Sequence, residues 1–93
     1  MEYVRIDWRH DFEDEPVTYY SEIDDARWEV RAVQEYRDGH LEWVDGLHAS
    51  GDIVLAELPF PQLEEISIQP EFNAVVIEAS EFERIWNTAR TSG

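Results

Sequence analysis

The sequence contains no cysteine and no lysine, and each absence removes a class of proteins. Without cysteine there is no disulfide framework, no thiolate metal site and no cysteine nucleophile. Without lysine, the seven basic residues are all arginines, and they are scattered along the chain rather than clustered. Nucleic-acid binding needs clustered cations that release counterions from phosphates. We therefore expect no nucleic-acid partner.

Long apolar runs are also missing. No stretch approaches the roughly 20 apolar residues of a membrane span. Residues 1–7 show no basic leader followed by an apolar segment. We therefore expect a cytoplasmic location with no membrane partner. With no internal repeat, a chain of 93 residues is below the size at which proteins usually form two cores, so one domain over residues 1–93 is predicted.

Acidic residues dominate what is present: 22 aspartates and glutamates leave a formal net charge of -15. Nine of the first 25 residues are acidic. A surface of this sign attracts a basic protein, but the same charge also keeps a protein soluble without any partner. Both interpretations stay open on composition alone. The 13% aromatic content, which includes four tryptophans, indicates a folded core rather than disorder.

Periodicity predicts four or five strands. Residues 3–9 alternate as a half-buried strand does, with Val4, Ile6 and Trp8 on one face and Arg5, Asp7 and Arg9 on the other. The charged segment 10–16 is predicted to be a loop, and the β-branched and aromatic residues 17–20 favour a second strand. The short apolar runs 53–56 and 74–77 are typical of buried strands.

A hairpin is predicted where two strand-like segments, residues 28–37 and 40–45, are separated by Asp38-Gly39. Asp-Gly suits a two-residue type I′ turn. That turn would pair Arg37 with His40, Glu35 with Glu42 and Val33 with Val44. It would also place Leu41 and Trp43 on the same face as Ala32 and Tyr36.

Two helices complete the prediction. Pro61 and the acidic residues after it indicate one helical turn over residues 61–66. Ser80 and Glu83 have capping-box spacing, so a C-terminal helix should begin at Ser80 and lay its apolar stripe on the apolar face of the sheet. That stripe comprises Phe82, Ile85, Trp86 and Ala89. The predicted fold class is α+β: an antiparallel sheet of four to five strands with a C-terminal helix packed on one face. All four tryptophans, Trp8, Trp28, Trp43 and Trp86, are predicted to pack in the core.

Several short strings, taken in order, span nearly the whole chain: Trp8, His10-Asp11, Asp14-Glu15-Pro16, Tyr20-Ser21-Glu22, Asp24, Arg27-Trp28-Glu29, Arg31, Asp38-Gly39, Leu63-Glu64-Glu65-Ile66, Pro70-Glu71-Phe72, Phe82 and Trp86. Together they resemble a family of small bacterial domains, common in actinomycetes, that is catalogued as a domain of unknown function. The resemblance implies a shared fold but no activity, cofactor or catalytic residue.

The sequence contains few candidates for chemistry. His10 beside Asp11 could act as a general acid or base, so a small-ligand-binding or hydrolytic domain using His10 is the alternative function. Ser21 and Ser50 lie in no nucleophile elbow. The carboxylates of residues 11–15 fit no calcium loop. We predict no metal site, no cofactor and no catalytic residue.

The main hypothesis is therefore an acidic protein-interaction domain that binds a basic partner, with an immunity or inhibitor protein as its most specific form. The sequence leaves the choice between monomer and homodimer open. The predicted binding surface comprises Asp11, Glu13, Asp14, Glu15, Glu22, Asp24 and Asp25.

Overall fold

The computed structural model describes residues 1–92, which form one five-stranded sheet and two helices. The predicted α+β fold with an antiparallel sheet and a C-terminal helix is confirmed. No helix within the described residues is long and apolar enough to cross a membrane. The elements are β1 (Glu2–Trp8), β2 (Thr18–Ile23), β3 (Glu29–Glu35), β4 (Leu41–Val44), α1 (Leu63–Ser67), β5 (Phe72–Val76) and α2 (Ala79–Ser92).

The sheet has the strand order β4-β3-β2-β1-β5, and every neighbouring pair is antiparallel. The first four strands form a meander. The chain then returns through residues 45–71 to the far edge and adds β5 beside β1. In a meander, alternate connections lie at the same end of the sheet. The β1–β2 loop and the β3–β4 turn are therefore neighbours, whereas the β2–β3 turn lies at the opposite end.

Helix α2 packs across one face of the sheet through the predicted stripe. Phe82, Trp86 and Ala89 are buried with Val33, and Trp86 meets the edge of the Trp43 ring at 5.5 Å. The helix begins at Ala79, so Ser80 lies inside the first turn instead of capping it.

The face that α2 covers is the reverse of the one predicted. Tyr3 contacts Phe82 with ring centroids 5.3 Å apart, so the covered side belongs to Tyr3 and Arg5 and not to Val4 and Ile6. Tyr20, Val33, Leu41 and Trp43 supply the apolar surface there.

Residues 53–71 cover the other face of the sheet. Residues 53–56, which were predicted to be a strand, therefore form none. They belong to this irregular covering segment, and Ile53 packs against Ala32 and Val44. Ile6 lies beside Phe60 and Ile66 of the same segment.

The predicted hairpin is present, but its register is shifted by one residue. Its loop has three residues, because Tyr36 and His40 close it with a 3.0 Å backbone hydrogen bond. Gly39 takes a φ of 93°, the left-handed conformation that ends such loops. Val33 therefore pairs with Trp43, and Glu35 pairs with Leu41. A one-residue shift reverses the faces of a strand, so Leu41 and Trp43 share the face of Val33, which α2 covers, instead of the face of Ala32.

The prediction that every tryptophan packs in the core is wrong for Trp28. Its side chain is 42% exposed, whereas Trp86 is buried and Trp8 and Trp43 are half-buried. Trp28 precedes an irregularity in the β2–β3 pairing, where Glu22 faces Arg31 but Ile23 faces Glu29. The extra residue of such a bulge interrupts the alternation on which the prediction was based.

Candidate functional site

The acidic loop between β1 and β2 is organised around the ring of His10. Its Nδ1 accepts a hydrogen bond from the Phe12 amide at 3.0 Å, and its Nε2 lies 2.8 Å from the Pro16 carbonyl oxygen. The ring also packs on Trp8, with centroids 4.0 Å apart. These contacts fix the loop and leave its carboxylates in solvent. The exposed acidic residues are Asp11, Glu13, Asp14 and Glu15.

Both ring nitrogens of His10 have hydrogen-bond partners inside the loop. Because the Phe12 amide donates to Nδ1, that nitrogen carries no proton, and Nε2–H donates to the Pro16 carbonyl. Both nitrogens are occupied within the loop. A general acid or base needs a nitrogen within reach of substrate, so such a role would require His10 to give up one of these bonds.

The β3–β4 turn meets this loop at the same end of the sheet. Arg37 donates a hydrogen bond to the His10 carbonyl at 2.6 Å and so joins the two connections. Between them lies a cleft of about 610 Å³, which we call the acidic cleft. It is lined by Glu13, Asp14, Tyr36, Arg37, Asp38, His40, Glu42 and Asp52.

Three carboxylates of this cleft were not in the predicted surface: Asp38, Glu42 and Asp52. They are far from the β1–β2 loop in sequence. Asp38 could have been found, because a meander places its first and third connections together. Glu42 and Asp52 could not, because their placement depends on the true hairpin register and on the path of residues 45–52.

Tyr36 anchors the floor of the acidic cleft. Its hydroxyl donates to a Glu42 carboxylate oxygen at 2.9 Å, and its ring stacks on His40 at 4.2 Å. Burial, together with the Glu42 bond, raises the pKa of Tyr36 to about 12. The phenol therefore remains a neutral donor that holds the Glu42 carboxylate in position.

The acidic cleft contains little positive charge to balance its carboxylates. Asp38 pairs with His40 at 2.5 Å, and hydrogen bonds from the His40 backbone and ring hold the pKa of Asp38 below its usual value. No ion pair within residues 1–92 involves Glu13, Asp14, Glu42 or Asp52. The described residues also contain no group of three histidine, aspartate or glutamate side chains arranged to hold a metal ion.

Asp24 and Asp25 lie in the β2–β3 turn, at the opposite end of the sheet from the acidic loop. Asp24 shapes that turn, because its Oδ1 accepts hydrogen bonds from the amides of Ala26 at 3.0 Å and Trp28 at 2.9 Å. Asp25 is exposed beside the N-terminal amino group, 3.5 Å away. The predicted acidic surface is therefore divided between two ends of the molecule.

Glu22 does not belong to an exposed surface. It is 7% exposed beneath α2, where Arg31 donates to its carboxylate at 2.6 and 2.9 Å and the Tyr3 hydroxyl donates at 2.9 Å. The hydrogen bonds from Arg31 lower the pKa of Glu22 most, and the Tyr3 bond acts in the same direction while burial opposes both. The alternation of apolar and polar residues in β2 could not reveal this, because that pattern assigns every charged residue to the exposed face.

The Glu22 carboxylate predicts an acid-sensitive contribution to stability. Because its pKa is lowered on folding, this contribution is complete above the ordinary glutamate value of 4.5 and is lost as the pH falls through the lower folded value. Urea unfolding of the wild type and of Glu22→Gln across this window should show a smaller pH dependence in the variant. Glu64→Gln, an exposed control, should retain the wild-type slope; equal slopes in all three proteins would contradict the assignment.

Together the fold and the cleft define a small two-layer α+β domain with an acidic cleft at one end of its sheet. The chain belongs to the family described as Domain of unknown function (DUF6881), whose model matches residues 2–91. Neither the search of curated proteins nor the search of solved structures found a match.

Proposed function

We propose that this chain is an acidic protein-interaction domain that binds a basic segment of a partner protein in the acidic cleft. One observation carries the proposal: among the described residues, five carboxylates from three separate parts of the chain line one cleft, against a single arginine, Arg37. The five are Glu13, Asp14, Asp38, Glu42 and Asp52.

The charge of the whole chain supports this choice of partner. A net charge of -15 repels polyanions and accelerates the approach of a cationic protein. Within the cleft, an arginine or lysine side chain would be attracted by the carboxylates that line it. Solubility alone requires charge spread over the surface and does not require carboxylates from separate parts of the chain to line one cleft.

Phe12 adds an apolar contact next to the acidic cleft. Its side chain is 60% exposed although it lies between charged neighbours, and its ring packs on His10 with centroids 5.4 Å apart. Aromatic residues that are held rigidly inside a polar surface are typical anchors of protein interfaces. The partner would therefore present an apolar group beside its basic residues.

The most specific form of the proposal is an immunity or inhibitor protein of bacterial, cytoplasmic origin. A basic enzyme such as a nuclease carries a cationic site for its substrate, and a cluster of fixed carboxylates can occupy that site. The His10 alternative receives no comparable support, because both ring nitrogens are used inside the loop.

The test compares two variants with the same net charge. The cleft variant carries Glu13→Gln, Asp14→Asn and Glu42→Gln; the matched control carries Glu57→Gln, Glu64→Gln and Glu78→Gln, three exposed glutamates outside the cleft. Binding of a fluorescent arginine-rich peptide is measured by anisotropy at low and high salt. We expect the cleft variant to lose about tenfold or more in affinity, with a weaker salt dependence, and the control to change about twofold.

Equal losses in the two variants would contradict the proposal, because binding would then follow net charge and not the cleft. The same pair of proteins then serves as bait in the native lysate. A partner that is captured by the wild type and the control, but not by the cleft variant, would be the physiological target.

A further inference from the structure

A second concavity lies on the same face of the sheet as Glu42 and shares no residue with the acidic cleft. It has a volume of about 510 Å³, within the range of small-molecule sites. One wall is the sheet and the other is the segment from Phe60 to Gln69. We call it the aromatic groove; its lining residues are Ile6, Tyr19, Phe60, Pro61, Glu65, Ile66, Gln69 and Phe72.

Arginines hold the outer wall of the aromatic groove at both ends. At one end, Arg27 donates to the carbonyls of Phe60 at 3.3 Å and Pro61 at 2.8 Å, and its own carbonyl accepts from the Phe60 amide at 2.6 Å. At the other end, Arg9 donates from its side chain to the Pro70 carbonyl and from its amide to the Glu71 carbonyl. The groove is therefore preformed, so a ligand does not bear the cost of ordering this wall.

The negative charge in the lining of the aromatic groove favours a ligand of positive charge. Among the described residues, Glu65 is the one acid that lines the aromatic groove, and no arginine lines it. Within residues 1–92, no ion pair involves Glu65. An anionic ligand would meet this carboxylate and the field of a chain with a net charge of -15. A cationic ligand is attracted both by the Glu65 carboxylate and by the negative charge of the whole chain.

The aromatic rings select the shape of the ligand. Tyr19, Phe60 and Phe72 present three half-buried rings to the aromatic groove, and Phe72 stacks on Trp8 at 5.8 Å. The faces of aromatic rings attract cations, most strongly those that lose little hydration on burial, such as alkylated ammonium groups. Ile6 and Ile66 add apolar surface for the body of such a molecule.

We propose that the aromatic groove binds a small organic cation, an amine or quaternary ammonium group carried on an apolar or aromatic body. The rings surround the apolar body and the alkylated nitrogen, and the Glu65 carboxylate balances the positive charge. This site is independent of protein binding in the acidic cleft.

The test is an NMR titration of the ¹⁵N-labelled protein with benzyltrimethylammonium. Benzyl alcohol serves as the neutral probe and phenylacetate as the anionic one. We expect the cation to shift the amides of residues 60–72 and to bind about fivefold or more tightly than benzyl alcohol, with no saturable binding of phenylacetate. The cleft variant should give the same titration.

Glu65→Gln should weaken binding of the cation about threefold or more while leaving benzyl alcohol unchanged. Glu64→Gln, the neighbouring exposed acid outside the aromatic groove, should change neither. The proposal is overturned if the cation shifts only amides around the acidic cleft, if benzyl alcohol binds as tightly as the cation, or if Glu64→Gln and Glu65→Gln act alike.

Discussion

Replacing Arg31 by alanine is expected to lower the free energy of unfolding by about 3 kcal/mol, because it leaves the Glu22 carboxylate buried without a cation. The Arg31 guanidinium pairs with Glu22 at 2.6 Å and with Glu83 at 2.5 Å, and it lies 5.0 Å from the ring centroids of both Phe82 and Trp86. One side chain thus links β2, β3 and α2. Its loss removes two ion pairs and two cation–π contacts together.

Equilibrium unfolding in urea measures this effect. Arg84→Ala is the matched control, since Arg84 is an exposed arginine of α2, and it should change stability by less than about 0.5 kcal/mol. If Arg31→Ala were no more destabilising than Arg84→Ala, the network would contribute nothing beyond a surface pair.

A double variant separates the unpaired charge from the lost packing. Glu22→Gln combined with Arg31→Met should be more stable than Arg31→Met alone, because both proteins retain most of the volume and only the single variant leaves the carboxylate unpaired. Glu83 needs no replacement, because its side chain is 45% exposed and water can solvate it. A double variant no more stable than Arg31→Met would contradict this expectation, because the uncompensated carboxylate would then contribute nothing to the loss.

Replacing Phe82 by alanine should cost about 4 kcal/mol, a large share of the stability of a domain of this size. Phe82 has no exposed surface, and its ring contacts Tyr3 at 5.3 Å and Trp86 at 6.3 Å. Truncation would open a cavity at the centre of the helix–sheet interface. It would also remove one of the two rings beneath the Arg31 guanidinium.

Denaturant unfolding, with Phe12→Ala as the comparison, tests this second expectation. Phe12 is the same residue type but is 60% exposed, so its truncation should cost less than about 1 kcal/mol. Phe82→Leu should fall between the two, because it leaves a smaller cavity. Similar losses for Phe82→Ala and Phe12→Ala would mean that α2 does not close the core.

Sequence patterns predicted the position and the apolar face of elements whose conformation depends on their own residues. The alternation of β1, the stripe of α2 and the short helix α1 are local patterns, and each was found close to its predicted position. Sequence patterns failed where the conformation of one element depended on another element that packs against it. Asp38-Gly39 is compatible with loops of two and three residues, and the three-residue loop brings Leu41 and Trp43 to the face that α2 covers.

The candidate site shows the same division. Exposure of Asp11, Glu13, Asp14 and Glu15 follows from their density in a loop bounded by Pro16. Their convergence with Glu42 and Asp52 depends on the hairpin register and on the path of residues 45–52, which no local pattern encodes.

The sequence by itself determined the fold class, the acidic character of the chain and the exposed loop between β1 and β2, because composition and periodicity reflect local preferences. Only the tertiary structure decided which face of the sheet receives α2, that Glu22 is a buried partner of Arg31, and that carboxylates distant in sequence form one cleft. These outcomes depend on long-range packing. A charged side chain at an inward position is stable only when a residue of another element supplies the opposite charge. Which residue does so depends on how the elements pack in the folded protein.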